Sequence, residues 1–227
     1  MQDTRIAAFF DFDKTLLDTE SSRIGIRYMW QRQMVSPGYI LQVLFTNFFY
    51  ERHWISDETM AAVLLKIYRR RRLVDFRQGA ADFYHTCLKP RLAPCILDRL
   101  NWHRDQGHVT VLVSGSVRYM LEPVVADLGI KHLLCSELEQ GPDGLLTGKA
   151  DGRLCLGEHK RYLASELAAD IGLELGASYA YGNHQSDLPL LELVGFPHAV
   201  EPTRPLRLVA RENNWPILTY RSVPKLP

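Results

Sequence analysis

Residues 6–15 read Ile6-Ala7-Ala8-Phe9-Phe10-Asp11-Phe12-Asp13-Lys14-Thr15: five apolar residues, then two carboxylates flanking a single phenylalanine. A short apolar run that stops abruptly at polar residues is the pattern of a strand buried on both faces, and such strands belong to parallel sheets. Residues 109–113, 178–181 and, more weakly, 198–200 repeat the pattern. Between these runs, residues 117–128 and 160–171 carry apolar side chains at helical spacing, with Gly129 and Gly172 where a helix C-terminus favours glycine. The alternation predicts an α/β fold, a parallel sheet with helices on both faces.

In such sheets the ligand site lies beyond the carboxyl ends of the strands. The residues to read are therefore those after each apolar run: Asp11 and Asp13, then Ser114 and Gly115, then Gly182, Asn183 and Asp187. Residues 19–75 contain no strand of this kind and read as several helices, an insertion after the first strand ending in the arginine run 69–72. The expected division is a catalytic core of residues 1–18 and 76–227 around an inserted unit of residues 19–75. Residues 133–156 hold five glycine or proline breaks between short alternating stretches, which predicts a β-hairpin. The tail 222–227 is expected to fray.

With 227 residues, the chain has room for one well-buried core and a modest insertion. A formal net charge of +1 provides no electropositive envelope, which disfavours a nucleic-acid partner. Four scattered cysteines show neither zinc-site nor disulfide spacing, and no signal-peptide pattern opens the chain, so a cytoplasmic location is expected. The most apolar later stretch, residues 39–50, is too short for a bilayer span, which takes about 20 residues.

Two carboxylates so close on one strand end repel each other unless something neutralises them. A divalent cation does so, and Mg²⁺ prefers oxygen ligands and the company of phosphate. With such a metal present, a carboxylate can attack phosphorus, while a neighbouring carboxyl group protonates the leaving alkoxide and later deprotonates water. Asp11 suits the first task and Asp13 the second. An isolated acid pair would more plainly cap the next turn, but this one has company. Val113-Ser114-Gly115-Ser116 supplies a hydroxyl and a closely approachable backbone N–H, read as the start of a helix. Lys160 stands in Gly157-Glu158-His159-Lys160 near the start of a helix, where the dipole does not favour a cation. Asp187 can reach a metal at the same rim, or simply cap the helix that follows.

The order of these pieces resembles the haloacid dehalogenase superfamily, in its phosphoserine-phosphatase-like branch, over nearly the whole chain. The resemblance implies a Rossmann-like core with a helical cap after the first strand. It also implies a Mg²⁺-dependent phosphatase working through an aspartyl phosphate on a small phosphomonoester such as phosphoserine. By it, Asp11 is nucleophile and metal ligand, and Asp13 is general acid/base and lends its backbone carbonyl to the metal. Ser114, Gly115 and Lys160 hold the phosphoryl group, and Asp187 completes the metal shell. The acidic motif commonly opens Gly-Asp; here it opens Gly182-Asn183, and a neutral amide implies weaker metal binding rather than inactivity.

The cap of residues 19–75 is expected to choose the leaving group, with Glu20 placed either to meet a substrate amine or to favour a helix N-terminus. Tyr39, Phe45, Phe48, Phe49, Tyr50 and Trp54 are expected to form the cap's own core, and the arginine run a solvated helix face. The alternative is a greasy cap that contacts a lipid phosphate or membrane surface, with the arginines attracting its charge. A further alternative is a non-catalytic phosphometabolite-binding module with a weakened metal site.

Overall fold

The computed structural model describes residues 5–52 and 54–221; the tail 222–227 lies outside the described residues. In chain order the elements are β1 (Ala7–Phe10), α1 (Ser21–Gln31), α2 (Pro37–Tyr50), α3 (Asp57–Leu65), α4 (Leu73–Phe83), α5 (Pro94–Asp105), β2 (Val109–Val117) and α6 (Arg118–Leu128). They continue with β3 (His132–Gln140), β4 (Leu146–Asp151), α7 (Glu158–Ile171), β5 (Tyr179–Gly182), α8 (Leu188–Leu191), β6 (Phe196–Val200), α9 (Arg204–Glu212) and β7 (Ile217–Leu218).

The sheet runs β4-β3-β2-β1-β5-β6-β7, parallel throughout except for the antiparallel β3–β4 pair. This is the expected Rossmann-like α/β architecture. The chain leaves β1 to one side for β2 and β3 and to the other for β5, β6 and β7. The switch point thus falls at β1, where crevices form at the carboxyl edge.

The strand period of two is visible in β1 itself. Ala8 and Phe10 enter one apolar cluster with Leu112 and Tyr181, whereas Ala7 and Phe9 enter the other with Val111, Val113 and Ala180. Phe10 and Tyr181 stack with centroids 4.6 Å apart, fixing β1 against β5 on the helix-covered face. Gly129 and Gly172 end α6 and α7 in left-handed conformation, at φ 63° and 69°.

Several expectations need correction. Ser114-Gly115-Ser116 does not start a helix: β2 continues through it with a register shift between Ser114 and Val117, and α6 begins only at Arg118. Polar and glycine content ended the apolar pattern, but the backbone keeps its strand partners on β3. The predicted hairpin exists as β3–β4, yet its first strand also pairs parallel with β2 and so belongs to the main sheet. The expected boundary after residue 75 falls inside α4.

The arginine run is not a helix face either. It crosses from a short helical turn to α4 with Arg70 at φ 61°, and its backbone pairs with Leu146 of β4 through two bonds of 2.8 Å. Those bonds replace helical ones. Nor do the aromatics of α2 make a private core. Phe45, Phe48 and Trp54 are 65%, 48% and 70% exposed, while Tyr39, Phe49 and Tyr50 are half-buried. Only Val43 of α2 is buried, because the helix meets the molecule along one narrow line. The inserted segment's buried residues, among them Met29, Leu65 and Tyr68, join the same cluster as Phe10 and Leu112 of the sheet. No helix among the described residues is long and apolar enough to cross a membrane.

Candidate active site

Asp11 follows β1 directly, and its backbone N–H still donates to Tyr181 of β5 at 2.9 Å. Its side chain is therefore fixed at the sheet's edge. Oδ2 accepts from the Thr15 hydroxyl at 3.0 Å and Oδ1 from the Lys160 ammonium at 2.6 Å. Lys160 reaches back from the first turn of α7 and is 2% exposed, and its ammonium also donates to Oδ1 of Asp187 at 2.6 Å. A lysine placed against the helix dipole is thus stabilised by two buried carboxylates.

Asp187 performs two tasks. Besides meeting Lys160, its Oδ2 accepts from the backbone N–H groups of Asn183 and His184, both at 2.9 Å. The expected capping of the following helix is absent: Asp187 stands at the N-cap of α8 but its side chain accepts from the preceding N–H groups instead. Gly182 is required for this arrangement: a Cβ there would lie 2.6 Å from Cβ of Asp187. Asn183 is buried beside it, its carbonyl accepting from the N–H of Thr203 at 2.9 Å.

Asp13 stands two residues on, held by a chain that turns sharply through Lys14 at φ 55°, an uncommon conformation for a side-chain-bearing residue. One Asp13 oxygen accepts from the backbone N–H of Ser21, and the other from the Ser116 hydroxyl at 3.1 Å. Ser114 is buried; its oxygen accepts from the N–H of Ser116 at 3.1 Å and keeps its own O–H to donate. Gly115 lies against Leu156, whose side chain would be 2.7 Å from a Cβ at that position.

Thus the fold brings together Asp11, Asp13, Ser114, Gly115, Lys160, Asn183 and Asp187. Thr15, Ser21 and Ser116 were not singled out from the sequence, although Thr15 and Ser116 sit within the motifs. Glu20 lies close to Asp13, whose carboxyl its charge helps to raise, but it is engaged elsewhere. Its carboxylate pairs with Lys14 and with Arg23, the latter at 2.8 Å, and it caps no backbone group of α1 although it occupies the N-cap position.

The electrostatics follow from burial. Desolvation, then the charge of Asp187, pushes Asp11 up to about 7 against the pull of Lys160. Burial alone would lower Lys160, but Asp11 and Asp187 hold it above its usual range, so it remains an ammonium. Burial also raises Asp13, outweighing its hydrogen bonds from Ser21 and Ser116. For Glu20, burial is outweighed by Lys14 and Arg23, and the carboxyl is lowered.

One ammonium shared by two carboxylates leaves a negative charge uncompensated, and Asp13 is close by. The donor set that faces this charge is all oxygen, which suits Mg²⁺. Among the described residues no three His, Cys, Asp or Glu side chains cluster at metal-holding spacing. An ion here would draw on two carboxylates together with carbonyl, amide and water oxygens, as Mg²⁺ commonly does.

The chain is similar to known proteins over most of its length. A sequence profile of the haloacid dehalogenase-like hydrolases matches residues 8–192. The chain is 30% identical over 219 residues to the "Inhibition of morphological differentiation protein" of Streptomyces azureus, covering 95% of this chain and 79% of that one. It is 28% identical over 224 residues to a histidinol-phosphatase of Neisseria meningitidis, covering 94% of this chain and 98% of that one. A Bordetella pertussis protein of unknown function superposes with a TM-score of 0.84 at 26% identity, covering 96% of this chain and 99% of its own.

Proposed function

This chain belongs to the haloacid dehalogenase-like hydrolase family and is a phosphatase of it, and we propose that it hydrolyses phosphomonoesters by way of a phosphoryl group carried on Asp11. The observation that carries this reading is the Lys160 ammonium held 2.6 Å from both Asp11 and Asp187, inside a buried and otherwise acidic rim.

An oxygen of Asp11 attacks phosphorus as the bond from phosphorus to the leaving oxygen breaks. Asp13, which burial favours in its protonated form, gives its proton to that oxygen, and the alcohol departs. Water then attacks the phosphorus of the aspartyl phosphate, Asp13 recovers a proton from it, and the bond to Asp11 breaks. Lys160 and the Ser114 hydroxyl are the donors for the phosphoryl oxygens, together with the backbone N–H of Gly115. Asp11, Asp187, the carbonyl of Asp13 and Asn183 would hold Mg²⁺, Asn183 through its amide oxygen or a water. Bound there, Mg²⁺ offsets the negative charge of the carboxylates and the phosphate.

The inserted segment, from residue 19 into α4, serves as a cap that shields the rim from water and selects the leaving group. The amine-binding role expected of Glu20 is not favoured, since Lys14 and Arg23 already occupy its carboxylate. Four free thiols at Cys87, Cys95, Cys135 and Cys155 are in keeping with a reducing, cytoplasmic setting.

The test is hydrolysis of phenyl phosphate with and without Mg²⁺ in the wild type and in Asp11→Asn. Mg²⁺-dependent turnover that disappears in the variant, with the fold retained, is the expected result. An Asp11→Asn protein that still turns over at the wild-type rate would sink the assignment, and binding without turnover in both proteins would favour the binding-module reading.

A further inference from the structure

Two cavities adjoin the rim, and they differ in chemistry. The first, of about 290 Å³, is lined by Ser21, Gly115 and Ser116 and by residues of α1, α3, α4 and α6. Ser21 and Ser116 are the groups that hydrogen-bond to the Asp13 carboxylate. Two residues that line this cavity therefore also touch Asp13, which does not itself line it. The second, of about 510 Å³, is lined by Lys14, Glu20, Arg23, Asp57 and His184 among others; it reaches Asp13 through its chain neighbour Lys14 and the Glu20 charge, and neither Ser21 nor Ser116 faces it.

The walls of the first cavity are apolar, with Ile26, Met29, Leu65, Phe76, Phe83 and Met120 among them. Its four tyrosine hydroxyls already have partners. The Tyr28 hydroxyl donates to Asp82 at 2.8 Å, that of Tyr39 to the Leu64 carbonyl at 2.9 Å, and those of Tyr68 and Tyr119 bond each other at 3.0 Å. Its charged residues Arg32 and Asp75 are paired with Asp82 at 2.8 Å and Arg72 at 3.0 Å. A hydrocarbon group gains by leaving water against these walls, whereas an ammonium or carboxylate would exchange its water for little more than the Ser22 hydroxyl and the exposed Arg32 and Asp75, a net penalty.

In the mechanism above the leaving oxygen takes its proton from Asp13, so the leaving group lies on the Asp13 side of the phosphorus. Resting on that reading, we infer that the substrates are phosphomonoesters of apolar alcohols, alkyl or aryl, whose hydrocarbon part fills the cavity lined by Ser21, Ser116, Phe76 and Tyr119. A cavity of about 150 Å³ holds a benzene ring; this one accepts a group about twice that size, on the order of ten to twelve carbon atoms. Serine, with two charges on three carbons, is a poor match to these walls.

The experiment is a substrate series from ethyl to dodecyl phosphate, measured as kcat/KM with Mg²⁺ beside phosphoserine and phosphoethanolamine. The expected result is a rise of up to about fourfold per methylene, levelling off near ten carbons, with the charged substrates slowest. A flat series, or phosphoserine ahead of alkyl phosphates of its size, overturns the inference.

Gly79→Leu serves as the cavity-filling variant. A Cβ there meets the Tyr28 hydroxyl at 3.7 Å, an ordinary contact, and leucine is the better helix former. It should lower kcat/KM for decyl phosphate by about tenfold or more, mostly through KM, and move the plateau to shorter chains. If no phosphomonoester turns over at all, the Asp11 reading falls, while the cavity is still judged by calorimetry with alkylphosphonates. There, affinity rising with chain length and weakened by Gly79→Leu supports the inference, and affinity independent of length overturns it.

Discussion

Ser116, which lines the apolar cavity, donates its hydroxyl to Oδ2 of Asp13 at 3.1 Å, joining residues 103 apart in the chain. This bond exists because β2 continues past its apolar run and carries Ser116 to the strand end facing Asp13. Its loss in Ser116→Ala should cost about tenfold in kcat by freeing the Asp13 carboxyl to rotate. The bond also lowers the Asp13 pKa. Removing it therefore keeps Asp13 protonated to higher pH, and the alkaline limb of the pH–kcat profile should move upward. An unmoved limb would argue against Asp13 as the proton donor.

Lys160 is bound to the fold by its two carboxylates, and removing one partner of a buried ion pair leaves uncompensated charge. Lys160→Met should lower stability by about 3–5 kcal/mol in urea titration and abolish turnover. Adding Asp187→Asn to it removes one of the stranded charges and should restore part of the stability but none of the activity.

At Gly182, van der Waals contact decides the outcome. A methyl group there collides with Asp187, and this carboxylate holds two backbone N–H groups as well as Lys160. Gly182→Ala should cost about 1–3 kcal/mol through overpacking. It should also raise the Mg²⁺ concentration needed for half-maximal activity, measured by titrating the metal at saturating substrate. An unchanged requirement would separate Asp187 from the metal.

Acid should act on the core through two histidines. Burial lowers His103 to about 3 and His198 to about 4, from an ordinary value of 6.5. Between those values and 6.5 the unfolded chain binds protons that the folded chain refuses. Their contribution to stability is therefore complete above pH 6.5 and is lost as the pH falls toward 4. Each accounts for up to about 1.4 kcal/mol per pH unit within that window. His198→Gln should flatten the acid side of the stability curve relative to wild type, as read by urea unfolding from pH 7 to pH 4.5.

The exposed side of α2 offers a contrast between two kinds of apolar residue. Phe45 is 65% exposed and Phe83 is 6% exposed. Phe45→Lys should change stability by no more than about 0.5 kcal/mol, whereas Phe83→Ala should cost about 3–5 kcal/mol. Equal costs would restore the idea that the α2 aromatics form a core.

Much of the site was legible because its parts sit where strands stop. The break from Phe10 to Asp11 marks a strand end in any buried parallel strand, Asp187 follows another such end, and Lys160 stood out as a cation near a helix N-terminus. Ser21 gave no such signal: it is a small polar residue at a helix start, and only its neighbour across the turn makes it a ligand of Asp13. The aromatics of α2 misled because an apolar run signals burial only if another surface is there to cover it. The arginine run misled because backbone pairing with Leu146, unseen in the local sequence, overrode its helical look.

The sequence alone determined the central strands, the helices between them and which acids follow the strand ends, since these depend on local periodicity and on where apolar runs end. Tertiary structure alone decided which carboxylates share the Lys160 ammonium, where the Glu20 charge is spent, and that the space beside Asp13 is apolar. Those outcomes depend on distances between residues far apart in the chain. Burial gives such distances their energy, because the cost of an unpaired charge is set by what the rest of the fold places around it.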